Sequence, residues 1–233
     1  MATIAENLQA VHQRIARAAA AANRAPESVK LLAVSKTFGA DAVLAAWKAG
    51  QHAFGENFVQ EGVAKIAELP LPGIEWHFIG PVQSNKTRPI AEHFAWVHSI
   101  EREKVAQRLN DARPPQLPPL NVLIQVNVSG EASKSGLAPG AERDLAGFIR
   151  GLPRLRLRGL MAIPEPTQDK ALQRGRFALL RRLLLPLQAE DAAVDTLSMG
   201  MSDDLESAIA EGSTLVRVGT AIFGKRQAVN GER

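Results

Sequence analysis

Two basic residues sit where an apolar strand pattern ends, and both could carry chemistry. In "LLAVSKTF" (residues 31–38) an apolar run stops at Ser35 and Lys36. Lysine is rarely buried unless it is paired, so Lys36 either marks where a strand meets water or is held there for chemistry. Side chains alternate along a strand, which puts Leu32, Val34 and Lys36 on one face. An inward lysine in an apolar setting has a lowered pKa and becomes a nucleophile able to form a Schiff base. The same alternation in "TLVRVGT" puts Leu215, Arg217 and Gly219 on one face. A guanidinium inside a fold must be paired or hydrogen-bonded. Either Arg217 forms an internal ion pair, with Glu56 a candidate, or it donates to a ligand.

Between them lies "LSMGMSDD". Gly200 and Gly219 would let backbone N–H groups approach an anion closely. Ser202 reads as the N-cap of a following helix, whose first N–H groups would point to the same place. Asp203 and Asp204 suit a helix start but would repel a phosphate they faced. Asn57 closes "FGEN", and His77 stands in "EWHFIG". A lone histidine in a strand suits a core as readily as the wall of a site.

The elements that must position these residues alternate along the chain. Ile4, Leu8, Val11 and Ile15 mark an amphipathic helix over about residues 2–22, closed by Asn23 and Pro26. Strand patterns follow at 29–36, 52–57, 75–80, 95–100, 120–128, 155–163, 196–200 and 214–223. Helical stretches separate them at 40–49, 59–69, 84–93, 102–112, 139–151, 168–188 and 203–211. Such alternation implies parallel strands with right-handed crossovers. Eight units predict an α/β fold, a single (β/α)8 TIM-type barrel over residues 1–233, with an open doubly wound sheet as the alternative. The proline-rich "RPPQLPPL" (113–120) reads as a loop, and the end (226–233) as a polar tail.

Barrel sites lie at the carboxyl ends of the strands, with phosphate held after strands seven and eight. That rule gathers Lys36, Asn57, His77, Ser198, Met199, Gly200, Met201, Arg217, Gly219 and Thr220 at one mouth, with Ser202 on the loop beside it. An amine, a phosphate cradle and an arginine suit pyridoxal 5′-phosphate (PLP). They would also suit a Schiff-base aldolase acting on a sugar phosphate.

Composition sets the outer limits. The 233 residues are 45% hydrophobic and 22% charged, ordinary for a globular chain. There is no cysteine, which excludes disulfides and thiol chemistry and suits a reducing cytoplasm. A formal charge of +4 is too weak to argue for nucleic acid. The start lacks a continuous apolar signal core, and no run approaches a membrane span. No metal-ligand cluster stands out.

Taken together, "LLAVSKT", "AFGENFVQE", "WHFIGPVQSNK", "SKSGL", "LRGLMAIP" and "LSMGMSDDLESAIAEGSTLVRVGTAIFG" resemble the pyridoxal phosphate homeostasis protein family, from about residue 29 to 224. The resemblance implies the barrel of alanine racemase standing alone, the PLP fold type III. It implies that Lys36 forms the Schiff base, that Arg217 faces the pyridine nitrogen, and that Ser202, Gly219 and Thr220 hold the phosphate. Asn57, Met199, Gly200 and Met201 would line the site, with His77 as a wall residue. "KTFGAD" departs from relatives that carry a proline soon after the lysine, which bears on the loop rather than on Lys36. Lys86 and Lys134 are further basic loop residues, read as solvated surface.

Two functional classes fit that resemblance: an amino-acid racemase-like enzyme, and a protein that stores, buffers or delivers PLP without turnover. The second is the expectation. A racemase of this lineage draws its opposing base, usually a tyrosine, from a further domain and a partner subunit, whereas this sequence stops soon after the eighth strand pattern and contains no tyrosine. An arginine opposite the pyridine nitrogen does not readily give up a proton, which leaves the ring a weaker electron sink. An uncovered mouth would also admit water. The expected partners are PLP and apo-enzymes that use it as recipients, with no nucleic acid and no membrane. The chain is expected to be a cytoplasmic monomer with no catalytic residue of its own.

Overall fold

The structure is a computed structural model that describes residues 2–131 and 135–224. Lys134 and the polar tail lie outside the described residues. The strands are β1 (Lys30–Val34), β2 (Ala53–Glu56), β3 (Glu75–Phe78), β4 (Trp96–Ile100), β5 (Leu120–Gln125), β6 (Leu155–Met161), β7 (Thr196–Ser198) and β8 (Leu215–Val218). All neighbouring pairs are parallel, and β8 pairs with β1 through Lys30↔Leu215 to Ala33↔Val218. The sheet is therefore a closed barrel in sequence order, as the alternation predicts.

Helices follow the strands as α2 (Ala40–Lys48), α3 (Val59–Glu68), α4 (Thr87–His93), α5 (Glu103–Ala112), α6 (Glu142–Arg150), α7 (Lys170–Glu190), α8 (Leu205–Ala210) and α9 (Thr220–Phe223). Ahead of them, α1 (Ile4–Ala21) starts with a capping box. Thr3 Oγ1 accepts from Glu6 N, and the Glu6 carboxylate accepts from Thr3 N at 2.7 Å. Its buried stripe of Leu8, Val11, Ile15 and Ala19 packs onto the barrel's outer layer. Asn7 Nδ2 donates to Ile222 O at 2.9 Å, tying α1 to α9. Asn23, at φ 54°, ends the helix where expected.

Three local expectations need correction. The eighth strand pattern does not run to residue 223: Gly219 leaves the extended region (φ −117°, ψ −72°), and the next residues coil into α9. Apolar composition alone does not separate a strand from one helical turn. The fifth strand ends at Gln125, because Val126 and Asn127 instead pair with Leu137 across the following loop. Ser202 does not cap α8: Asp204 holds that position, and its Oδ1 turns back to accept from Met201 N at 2.6 Å. The proline-rich segment is a loop, pinned by buried Arg113, which donates to Ala91 O, Phe94 O and Pro118 O.

The core has two layers. Phe54, Phe78, Phe94, Ile124 and Phe177 fill the space between strands and helices. Inside the barrel, Leu32, Val34, Ile79 and Leu215 form one apolar cluster and Trp96, Leu123 and Met161 another. Gly55 makes room for the first cluster; a Cβ there would stand 3.1 Å from Leu32 Cδ2 and 3.3 Å from Ile79 Cδ1.

Candidate functional site

Where β1 ends, the chain turns. Ser35 N donates to Gly55 O, Phe38 N returns to Ser35 O, and Lys36 sits half-buried at the corner. Thr37 takes a left-handed φ of 68°. Beside this turn a cavity of about 230 Å³ opens at the carboxyl ends of the strands. Its wall brings together Lys36, Asn57, Met201, Ser202, Arg217, Gly219 and Thr220 from the ends of β1, β2, β7 and β8. Val34, Phe38, Ile79 and Ile163 supply apolar surface. Asn57 Oδ1 is buried with no hydrogen-bond partner.

Arg217 reaches the cavity from inside the barrel and is 4% exposed. One terminal nitrogen donates to Ser198 O at 2.6 Å and Ser198 Oγ at 2.7 Å; the other donates to Ala162 O at 2.8 Å. These acceptors are neutral. Burial pulls the guanidinium down to about 10, while the charge of Asp204 opposes that shift. The group stays cationic at neutral pH, and Nε donates to none of the described residues. The expected partner Glu56 lies on the opposite face of β2 and bonds Lys65 and Ser35 instead.

The two loop glycines serve packing. Gly200 has a φ of 97°, and a Cβ there would meet Ala208 Cβ at 2.6 Å. A Cβ on Gly219 would come within 3.0 Å of Val34 O, so glycine lets β8 press against the end of β1. Met199 is fully buried in the outer core, so neither it nor Gly200 joins the cavity wall.

His77 does not reach the mouth. It shares a barrel-facing side with Ile79 but sits two residues deeper, about 7 Å at a strand's rise. There it belongs to a polar chain through the barrel. Its Nδ1 lies 2.9 Å from His98 Nε2, His98 Nδ1 lies 3.0 Å from Ser198 Oγ, and its Nε2 lies 3.0 Å from Glu75 Oε1. The partners assign the tautomers. Arg217 donates to Ser198 Oγ, whose hydroxyl donates to His98; His98 donates to His77, and His77 to Glu75. Every donor then finds an acceptor with both imidazoles neutral. Burial lowers the pKa of both histidines, most for His98, and the bond from His77 is the main cause holding Glu75 at about 2. The chain ends beside a second cavity of about 210 Å³ at the opposite end of the barrel, lined by Lys30, Glu75, Trp96 and Arg158.

This chain predicts a pH dependence. The unfolded histidines take up protons near pH 6.5, before the buried ones do, so stability present above that pH is lost as pH falls. Each neutral buried histidine contributes a slope of at most about 1.4 kcal/mol per pH unit below 6.5. Glu75, depressed from 4.5 to about 2, adds loss in the same direction below pH 4.5. Thermal melts between pH 7.5 and 5 are expected to show a falling Tm. A flat profile would contradict the neutral tautomers.

The sequence patterns missed Phe38, Ile79 and Ile163 as wall residues. Ile79 was legible, because it is the next residue on the face of His77 toward the carboxyl end. Lys86, read as solvated surface, is half-buried and lines a neighbouring cavity with Asn57, Phe58 and Gln83.

Comparison with known proteins bears on the family and the fold. Residues 6–227 match the family model described as alanine racemase, N-terminal domain. A pyridoxal phosphate homeostasis protein of Pseudomonas aeruginosa is 62% identical over 97% of both chains. One of Escherichia coli is 55% identical over 97% of this chain and 98% of its own. PipY of Synechococcus elongatus, solved with PLP bound, is 37% identical with a TM-score of 0.82, covering 95% of this chain and 100% of that one. Alanine racemase of Corynebacterium glutamicum shares the fold at a TM-score of 0.70 and 15% identity, covering 99% of this chain and 62% of that one.

Proposed function

We propose, from the premise that the chain belongs to the alanine racemase N-terminal domain family and within it to the pyridoxal phosphate homeostasis proteins, that it binds PLP reversibly on Lys36 and serves the cell's PLP supply. The observation that carries this reading is one cavity walled by a lysine amine, a buried guanidinium and a hydroxyl-bearing loop pair. When bound, PLP supplies an aldehyde that condenses with an amine, with loss of water, to form a reversible Schiff base.

The donor set fits that group. Lys36 offers the amine. Arg217, held from behind by Ser198 and Ala162, directs a fixed cation at the ring nitrogen. Ser202, on the loop after β7, and Thr220, the first residue of α9, offer hydroxyls and nearby backbone N–H groups to the phosphate. Asp204 is turned away by its bond to Met201 N, which leaves Asp203 as the wall's carboxylate. Asn57 brings a buried amide oxygen that an occupant would satisfy. Val34, Ile79 and Met201 give the ring apolar faces. Borohydride reduction of PLP-loaded protein, followed by peptide mass mapping, should place a pyridoxyl group on Lys36. A label on Lys86 or Lys134 instead would refute the assignment.

Thr220 tests the phosphate half. A charge-assisted hydrogen bond contributes roughly 1.5–3 kcal/mol. Thr220→Val is therefore expected to weaken PLP binding about tenfold or more and to leave unphosphorylated pyridoxal nearly unchanged. Equal losses for both would show that Thr220 does not meet the phosphate.

The chain is proposed to hold and release PLP rather than turn over amino acids. With no tyrosine in the sequence, the usual second base of a racemase is absent. The proposed recipients are apo-enzymes that use PLP, and the proposed setting is the cytoplasm. Among the described residues no helix is long and apolar enough to cross a membrane.

A further inference from the structure

Behind the Lys36 turn lies a buried ion cluster that the reading above does not use. Lys65, on α3, is only 5% exposed, unusual for a lysine. Its Nζ donates to Ser35 O at 2.8 Å, Glu56 Oε1 at 2.8 Å and Glu61 Oε1 at 2.7 Å, which uses all three ammonium protons. Ser35 Oγ donates to Glu56 Oε1 at 2.6 Å, and Thr37 N donates to Glu61 Oε1. The residue before Lys36 and the residue after it are thus both tied to one cluster.

Thr37 adds a second observation. Its φ of 68° is a left-handed conformation that a β-branched residue adopts rarely. Such backbone persists only where its surroundings fix it, and Glu61 supplies the acceptor that does so. The cluster is also poorly built for stability alone. Glu56 Oε2 is buried with no hydrogen-bond partner, and an apolar cluster of equal volume often stabilises a fold as well as a buried ion pair. Apolar side chains could not hold a peptide carbonyl on one side of Lys36 and a peptide N–H on the other.

We propose that Lys65, with Glu56 and Glu61, is the positioning device that fixes the Lys36 turn so that the amine meets the aldehyde of PLP. This rests on the reading that Lys36 carries PLP. Arg217 and Thr220 locate the ring and the phosphate from other strands, so the Lys36 turn alone decides whether the amine is in reach. Misplacing a reacting group by about 1 Å can cost as much as a hundredfold. Lys65 and Glu61 are positioning residues that act through the backbone of Ser35 and Thr37.

The test compares PLP with 4′-deoxypyridoxine 5′-phosphate, which has the same ring and phosphate but no aldehyde. In Lys65→Met, PLP affinity is expected to fall about tenfold or more, and the borohydride-sensitive visible band to form more slowly. Affinity for the deoxy analogue should stay within about twofold of wild type, and Lys65→Arg should recover part of the PLP affinity. Glu61→Ala, at a side chain 26% exposed, should show the same split and carries the test if Lys65→Met does not fold. Equal losses for both ligands in the folded variant, or no loss for PLP, would overturn the proposal while leaving PLP binding intact. A wild-type protein that formed no band would remove the premise and the proposal together.

Discussion

Lys36→Ala is expected to abolish the visible Schiff-base band of PLP-loaded protein and all borohydride-fixed label. The argument is positional. Lys36 lies on the cavity wall, two residues past the end of β1 on the barrel-facing side of Val34. The other lysines near the mouth are differently placed. Lys65 is buried with its three protons committed to Ser35 O, Glu56 and Glu61. Lys86 faces a separate cavity beyond Asn57. Removing the Lys36 amine leaves the ring and phosphate contacts, so weakened noncovalent binding should survive, measurable as quenching of intrinsic fluorescence. A Lys36→Ala protein that kept the band would show another amine in the site.

Arg217→Leu is expected to destabilise the apo-protein by about 3 kcal/mol as well as weaken PLP binding. Two effects oppose each other. Leucine relieves the burial of a cation among neutral acceptors. It also removes a charge-assisted bond, worth roughly 1.5–3 kcal/mol, from each of Ser198 O, Ser198 Oγ and Ala162 O; Ser198 O keeps Ala162 N and Ser198 Oγ keeps His98, while Ala162 O is left without its guanidinium donor. Three lost bonds outweigh one relieved charge, because the acceptors belong to fully buried residues. Ser198 Oγ also anchors the histidine chain, so the loss spreads to His98 and His77. Urea unfolding at pH 7.5 measures the stability, and PLP titration at low urea measures the affinity. A stable Arg217→Leu protein with unchanged PLP affinity would remove Arg217 from both roles.

The barrel was legible because its signals are periodic and redundant. Short apolar runs alternating with amphipathic stretches have few other solutions, and the closure of β8 on β1 follows from their number. The mouth was legible by parity: Val34 to Lys36 and Leu215 to Arg217 alternate as strands must, so both basic side chains point inward. What parity does not supply is depth. His77 lies on the correct face one layer too deep, and Ile79 takes the place assigned to it. Partner choice was equally hidden. Glu56 was a reasonable mate for Arg217 until β2 turned Gly55 inward and Glu56 outward, toward Lys65 on α3. Ser202 looked like a cap because serine suits that position, whereas a hydrogen bond from Met201 N to Asp204 set the loop. Such choices depend on contacts between residues far apart in sequence, or on one local bond outcompeting another. Neither leaves a periodic mark.

Steady-state turnover by the PLP-loaded protein separates the proposed carrier from an enzyme. Across a panel of L- and D-amino acids, racemisation, transamination and decarboxylation should all stay far below the ordinary enzyme range of about 1–10³ s⁻¹, while the same protein restores activity to an apo-enzyme that uses PLP. A rate within that range on any of them, lost in Lys36→Ala, would contradict the carrier proposal and make the protein an enzyme.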